Sequence, residues 1–130
     1  MQKAVQFERL MRNRLAPHID YGAFVGLLPN NPKITPCNID GIVERKNKFL
    51  VLEWKREDEG TSEGLRRTLQ ALASVHNFQV WLVIGDTDNG LYIDKFYSIP
   101  PFGKPKLLGE GVDEFIHVYK MWYEYADGLF

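Results

Sequence analysis

A chain of 130 residues, 45% hydrophobic and 25% charged, is long enough to bury one sizeable core and is excluded from the disordered class. Its net charge of −1 gives no global pull toward nucleic acid, which counts against a DNA-coating protein but leaves room for an enzyme whose acids offset a local basic surface. The single cysteine, Cys37, excludes an internal disulfide and a cysteine-rich zinc site, and His18, His76 and His117 lack metal-ligand spacing.

No apolar run approaches the ~20 residues that cross a bilayer, so no membrane partner is expected. The opening "MQKAVQFERLMRNRL" has charges throughout and no signal-peptide block, which makes an intracellular location the expectation. Residues 3–15 have a helical pattern, ended near Pro17. "GLLPNNPKITPCN" is a loop, and residues 39–45 and 49–56 read as strands around the polar turn "KNK". "EDEGTSEG" offers Thr61 or Ser62 as the cap of a helix running to about Val75. "FQVWLVIGD" is the most apolar run and reads as a central strand; "DTDNG" turns into the strand "LYIDKFYSI". After a Pro/Gly/Lys loop, "GVDEFIHVYKMWYEYAD" reads as a helix. The order α-β-β-α-β-β-α predicts an α/β fold with a mixed sheet flanked by helices.

The stretch "NIDGIVERKNKFLVLEWKRE" places charges inside two apolar strands. A two-residue or a four-residue hairpin loop gives the same register, with partner numbers summing to 93. Asp40 then faces Glu53, with Cα atoms roughly 4.5 to 5.5 Å apart. Alternation puts Lys55 on the same face as Glu53. Directly opposed acids destabilise a sheet, and a divalent cation between them reverses that sign. An oxygen-rich site of this kind suits Mg²⁺. Glu44, roughly 13 Å from Asp40 along the strand, is expected to be solvated.

Ala4, Glu8, Met11 and Leu15 form one helix stripe. An inward Glu8 is costly unless it binds a metal or pairs with Arg12, and both readings stand. On the next helix Glu63, Arg66, Arg67, Gln70 and Ser74 share one side, while Leu65, Leu69, Leu72 and His76 share the other. That polar stripe could hold a phosphate through Arg66 or Arg67 and a nucleotide through Gln70, or it could be a solvated face. His76 is expected to pack in the core rather than to act as a base. Phe115, Tyr119 and Trp122 make a core stripe on the last helix; Tyr123 and Tyr125 fall off it and suit a dimer interface better than base stacking.

An Asp followed by a strand with Glu-x-Lys, between helices, resembles the PD-(D/E)xK nuclease superfamily, which includes type II restriction enzymes, junction resolvases and RecB-like exonucleases. The matching residues are "NID" ending at Asp40 and "LEWK" with Glu53 and Lys55, and the resemblance spans Glu8 to about Asp86. Ile39 stands where the superfamily has its proline. Ser74 stands where a Gln-x-x-x-Tyr motif starting at Gln70 would have tyrosine, so the RecB-like, resolvase and virus-type replication-repair branches are not distinguished.

The resemblance implies a single restriction-endonuclease-like domain over residues 1–130. It implies a Mg²⁺-dependent endonuclease, with Mn²⁺ able to substitute, hydrolysing phosphodiesters in DNA, with structured or branched DNA as a candidate form; RNA stays open. Asp40, Glu53 and Lys55 would be catalytic, and the metal ligands Asp40, Glu53, Glu8 and the Trp54 carbonyl. Gln70, Arg66, Arg67 and Arg56 would contact nucleic acid. Lys46, Lys48 and Arg9 or Arg12 would extend the phosphate track, and a homodimer follows from family habit. Two readings compete: a silent nuclease-like fold that binds nucleic acid or protein, and an unrelated α/β domain with a structural Asp40/Glu53/Lys55 cluster.

Overall fold

The computed structural model describes residues 21–57, 60 and 62–128; the helix expected over 3–15 lies outside them. The chain divides into two compact units, Met1–Asn38 and Ile39–Phe130. In the first, residues 21–38 are a run of turns around one 3-10 turn, Gly22–Phe24, closed by Gly26 N–H donating to the Pro32 carbonyl at 2.7 Å. Three prolines in this stretch leave few backbone donors for anything more regular.

The second unit carries a five-stranded mixed sheet and two helices: β1 (Gly41–Arg45), β2 (Lys48–Lys55), α1 (Glu63–Ala73), β3 (Phe78–Asp86), β4 (Tyr92–Ser98), β5 (Lys106–Glu110) and α2 (Gly111–Ala126). The strands lie in chain order across the sheet, and only β2 and β3 run parallel. A parallel pair needs a crossover, and α1 supplies it. Ser62 starts α1, its hydroxyl accepting the Leu65 N–H at 3.2 Å.

The β1–β2 turn is the two-residue form. Lys46 and Asn47 both take positive φ, 50° and 67°, the type I′ geometry whose twist matches paired strands. Arg45 pairs with Lys48 and Gly41 with Leu52, so the register follows the arithmetic read from the sequence. β3 sits at the centre, with Val80, Trp81, Leu82 and Val83 all buried. Both its faces are covered, which is why it shows an apolar run rather than an alternation.

Alternation sorts the core into two halves. Leu50, Trp81, Val83 and Phe96 pack beneath Phe115, Trp122 and Ala126 of α2. Val51, Val80, Leu82 and Ile99 pack beneath Leu69 of α1. Tyr119 stacks between Phe115 and Trp122, with centroids at 6.1 and 6.5 Å.

Three expectations need correction. The stretch after "LYIDKFYSI" is not all loop: residues 106–110 form β5, so the described elements run β-β-α-β-β-β-α. "KLLGE" has only two apolar residues, and its strand comes from pairing with β4. Gly109 is needed there, because a Cβ would stand 2.9 Å from the Phe96 ring. His76 is exposed, because α1 ends at Ala73 and the helical projection stops short of it. Lys48 has the parity of Leu50, not of Glu53, so it points to the α2 side; its ammonium lies 5.5 Å from the Tyr125 ring centre. Lys46 and Arg45 bind Asp127 on that same side, Lys46 Nζ donating to the Asp127 carbonyl at 2.9 Å and Arg45 Nε to Oδ1 at 2.6 Å. Arg45 also stands 5.7 Å over Tyr123. The hairpin tip is therefore fastened to the end of α2, away from Glu53.

Gly85 marks the register shift between β3 and β4. A Cβ there would collide with the Tyr92 carbonyl oxygen, which is backbone and cannot swing away. We expect Gly85→Ala to destabilise the fold by about 3 kcal/mol, read as a lower urea midpoint with an unchanged slope.

Candidate active site

Continuing the hairpin register one step beyond Gly41↔Leu52 brings Asp40 opposite Glu53. Arg45 and Lys48 flank a two-residue turn and so form a hydrogen-bonded pair. Counting outward, Asp40 and Glu53 fall at the closer, non-hydrogen-bonded spacing of ~4.5 Å between Cα atoms. Asp40 Oδ2 accepts the Trp54 N–H at 2.8 Å, replacing the backbone acceptor where the ladder ends. Trp54 faces β1 with both its backbone groups, so its carbonyl lies on the same strand edge as Asp40.

Among the described residues Glu53 is the buried charged side chain, 8% exposed, beside Val51 on its own strand and Leu82 on β3. Its burial pushes its pKa up to about 7, and the charge of the neighbouring Asp40 carboxylate adds to the rise. Its Oε2 has no hydrogen-bond partner among the described residues. Leaving a buried oxygen unpaired costs about 1–3 kcal/mol.

Lys55 stands two residues on, half-buried and on the same face. It lines a cleft of about 390 Å³ together with Leu82, Ile84, Lys95 and Tyr97. The cleft lies on the sheet face that carries Glu53, over the row joining Lys55, Ile84 and Lys95.

Lys95 and Tyr97 were not singled out from the sequence. Register joins Glu53 to Leu82 to Tyr97 and Lys55 to Ile84 to Lys95, two rows across one sheet face. Alternation in "LYIDKFYSI" pairs Lys95 with Tyr97, but the register shift at Gly85 hides which β2 residues they face. Glu57, also on the cleft, accepts the Tyr92 hydroxyl at 2.5 Å and raises the Tyr92 pKa to about 12.

The expected nucleic-acid contacts fare differently. Gln70 and Arg66 line a smaller apolar slot that shares Leu82 and Pro105 with the Lys55 cleft, so both stand on the site's side of the sheet. The Gln70 amide, however, donates to the Gly103 carbonyl at 3.2 Å and so fixes a loop. Arg66 and Arg67 are exposed and make long ion pairs with Glu63, at 3.9 and 3.8 Å. Arg56 bridges Asp88 at 2.7 Å and Asp86 at 3.4 Å, which offsets much of its charge. Glu44 is exposed as expected and accepts the Asn47 N–H at 3.0 Å. Glu8, Arg9 and Arg12 lie outside the described residues.

Among the described residues no group of three or more His, Cys, Asp or Glu side chains comes together as a metal cluster. Asp40, Glu53 and the Trp54 carbonyl still form an all-oxygen donor set, with a buried carboxylate oxygen left unpartnered. That chemistry fits a hard divalent cation that keeps several of its waters.

No protein-family model, no curated protein and no solved structure matches this chain. Its α/β sheet and the pairing across the hairpin therefore stand on their own geometry. Among the described residues no helix is long and apolar enough to cross a membrane.

Proposed function

We propose that the chain is a divalent-metal-dependent nuclease of the PD-(D/E)xK kind, with a restriction-endonuclease-like fold, hydrolysing phosphodiester bonds in DNA. The observation that carries this reading is Glu53: a buried carboxyl with one unpartnered oxygen, beside Asp40 and two residues from Lys55. A fold seeking only stability gains nothing from burying an acid next to another acid.

Asp40, Glu53 and the Trp54 carbonyl would hold Mg²⁺ or Mn²⁺. Such an ion, when bound, supplies Lewis-acid polarisation of the phosphate and a more acidic water. Asp40 is held in place by the Trp54 N–H, which aims one carboxylate oxygen and leaves the other available. Lys55 stands ~6.6 Å along the strand from Glu53, at the cleft wall, where its ammonium offsets charge on the phosphoryl oxygens and orients the attacking water. Lys95, in the same cross-sheet row as Lys55, is placed to hold the substrate backbone.

The closeness of the Asp40 carboxylate to buried Glu53 favours one other reading, a structural pair that shares a proton and binds no ion. Titrating the protein with Mn²⁺ separates them. A nuclease site gains about 1.4 kcal/mol at ten times the metal Kd and cleaves branched, linear or single-stranded DNA only with the ion present. A melting temperature indifferent to Mg²⁺ and Mn²⁺ supports the proton-sharing pair. Metal stabilisation without cleavage of any DNA supports a binding module.

A further inference from the structure

The 99–108 stretch, "IPPFGKPKLL", carries two lysines and no acid, and it joins β4 to β5 beside the Lys55 cleft. Its start is anchored by buried Ile99, whose N–H donates to the Val80 carbonyl at 2.8 Å. Its end is anchored by Lys106, which pairs with Ser98. Its middle is held by the Gln70 bond to Gly103, a residue at φ +91° that a glycine adopts without strain. Three prolines, Pro100, Pro101 and Pro105, stiffen what remains. On this fixed loop Phe102 is 83% exposed, far more than any core role requires. Pro105 belongs both to the cleft wall and to the slot lined by Arg66, so the loop forms the rim of the site.

We propose that the 100–106 loop is a contact for an unpaired nucleotide, in which Phe102 stacks on the base while Lys104 and Lys106 offset the neighbouring phosphates. The inference rests on the nuclease reading for its choice of ligand class, and adds that single-stranded or locally unpaired nucleic acid is the form engaged at the rim. An aromatic ring beside cations is the arrangement that binds single strands without sequence preference, because every base has a π-face. A loop whose backbone is already anchored loses little freedom on binding. The loop's positive charge, in a chain of net charge −1, complements a phosphate backbone.

The test uses the full chain carrying Lys55→Met, kept free of divalent metal so that the oligonucleotide stays intact, and a fluorescein-labelled single-stranded oligothymidine followed by anisotropy. The single strand should bind more tightly than a blunt duplex of equal length. Phe102→Ala should weaken that binding by about tenfold or more, leaving the melting temperature unchanged, and Phe102→Trp should restore it with quenching of the new indole. The double change Lys104→Ala/Lys106→Ala should flatten the slope of log K against log salt by about 1.4. Equal binding by Phe102→Ala, absence of binding to either DNA, or Phe102-dependent binding to anionic phospholipid vesicles instead of DNA overturns the proposal. Phe102-dependent binding in a wild-type chain that never cleaves sinks the nuclease reading and spares the loop. Cleavage by Phe102→Ala at unchanged KM does the reverse.

Discussion

Glu53→Gln should raise the melting temperature of the metal-free protein at pH 8 and flatten its pH dependence between about 5 and 8. The carboxyl's pKa is raised in the folded protein, from 4.5 to about 7. A raised acid stabilises the fold in its protonated form, so its contribution is complete below about 4.5 and is lost as pH rises through about 7. Full ionisation removes up to about 3 kcal/mol, a shift of several degrees for a domain this size. Glutamine keeps the shape and never ionises, so the difference between wild type and variant isolates this group from the rest of the titration. The Asp127 carboxyl, held low by the Arg45 hydrogen bond, acts in a separate acidic window. Wild-type stability that does not fall across pH 5–8 would show that Glu53 ionises without cost.

Metal ions should invert the same curve. The carboxylates must be ionised to bind a cation, so Mn²⁺ should stabilise the wild type more at pH 8 than at pH 5.5, and Glu53→Gln should lose that gain at both. Asp40 needs a gentler substitution. Its Oδ2 accepts the Trp54 N–H, so Asp40→Ala removes a hydrogen bond along with the charge. Asp40→Asn retains an acceptor and reports the charge alone.

The hairpin was legible because two rules suffice for it. A symmetric turn fixes the register, and the register's parity fixes the face, so Asp40, Glu53 and Lys55 could be placed together before any coordinates. The capped α1 and the apolar β3 were legible for equally local reasons. What the sequence hid depends on partners far along the chain. β5 owes its existence to β4, and Gly109 to the Phe96 ring above it. Lys46 bonds Asp127 and Lys48 stands over Tyr125, partners far along the chain, so two basic side chains near the hairpin turn read as a phosphate track when they serve α2. Lys95 and Tyr97 were obscured by the Gly85 register shift, which no alternation pattern reveals. Arg56 and Gln70 show a related limit: residue type announces a polar contact, and the fold decides whether a loop or a ligand receives it.

Lys55→Met should lower metal-dependent DNA cleavage by roughly 10²-fold or more while leaving Mn²⁺ stabilisation intact. Methionine keeps the apolar stem that packs along the cleft and deletes only the ammonium, so a loss of rate cannot be charged to unfolding; a melting curve superimposable on wild type checks this. The two acids remain to bind the cation, which is why binding and chemistry should part company in this variant and fail together in Glu53→Gln. The loss should fall on kcat rather than KM, since a group that stabilises charge developing on the phosphate acts in the transition state more than in the bound complex. Lys95→Met, one row-mate away across β3, should show the opposite division, a higher KM with kcat nearly unchanged, as a side chain that only holds the backbone would. If Lys55→Met cleaves at the wild-type rate, the ammonium beside Glu53 has no part in the reaction. Its position at the end of β2 would then reflect the solvation of the cleft rather than catalysis.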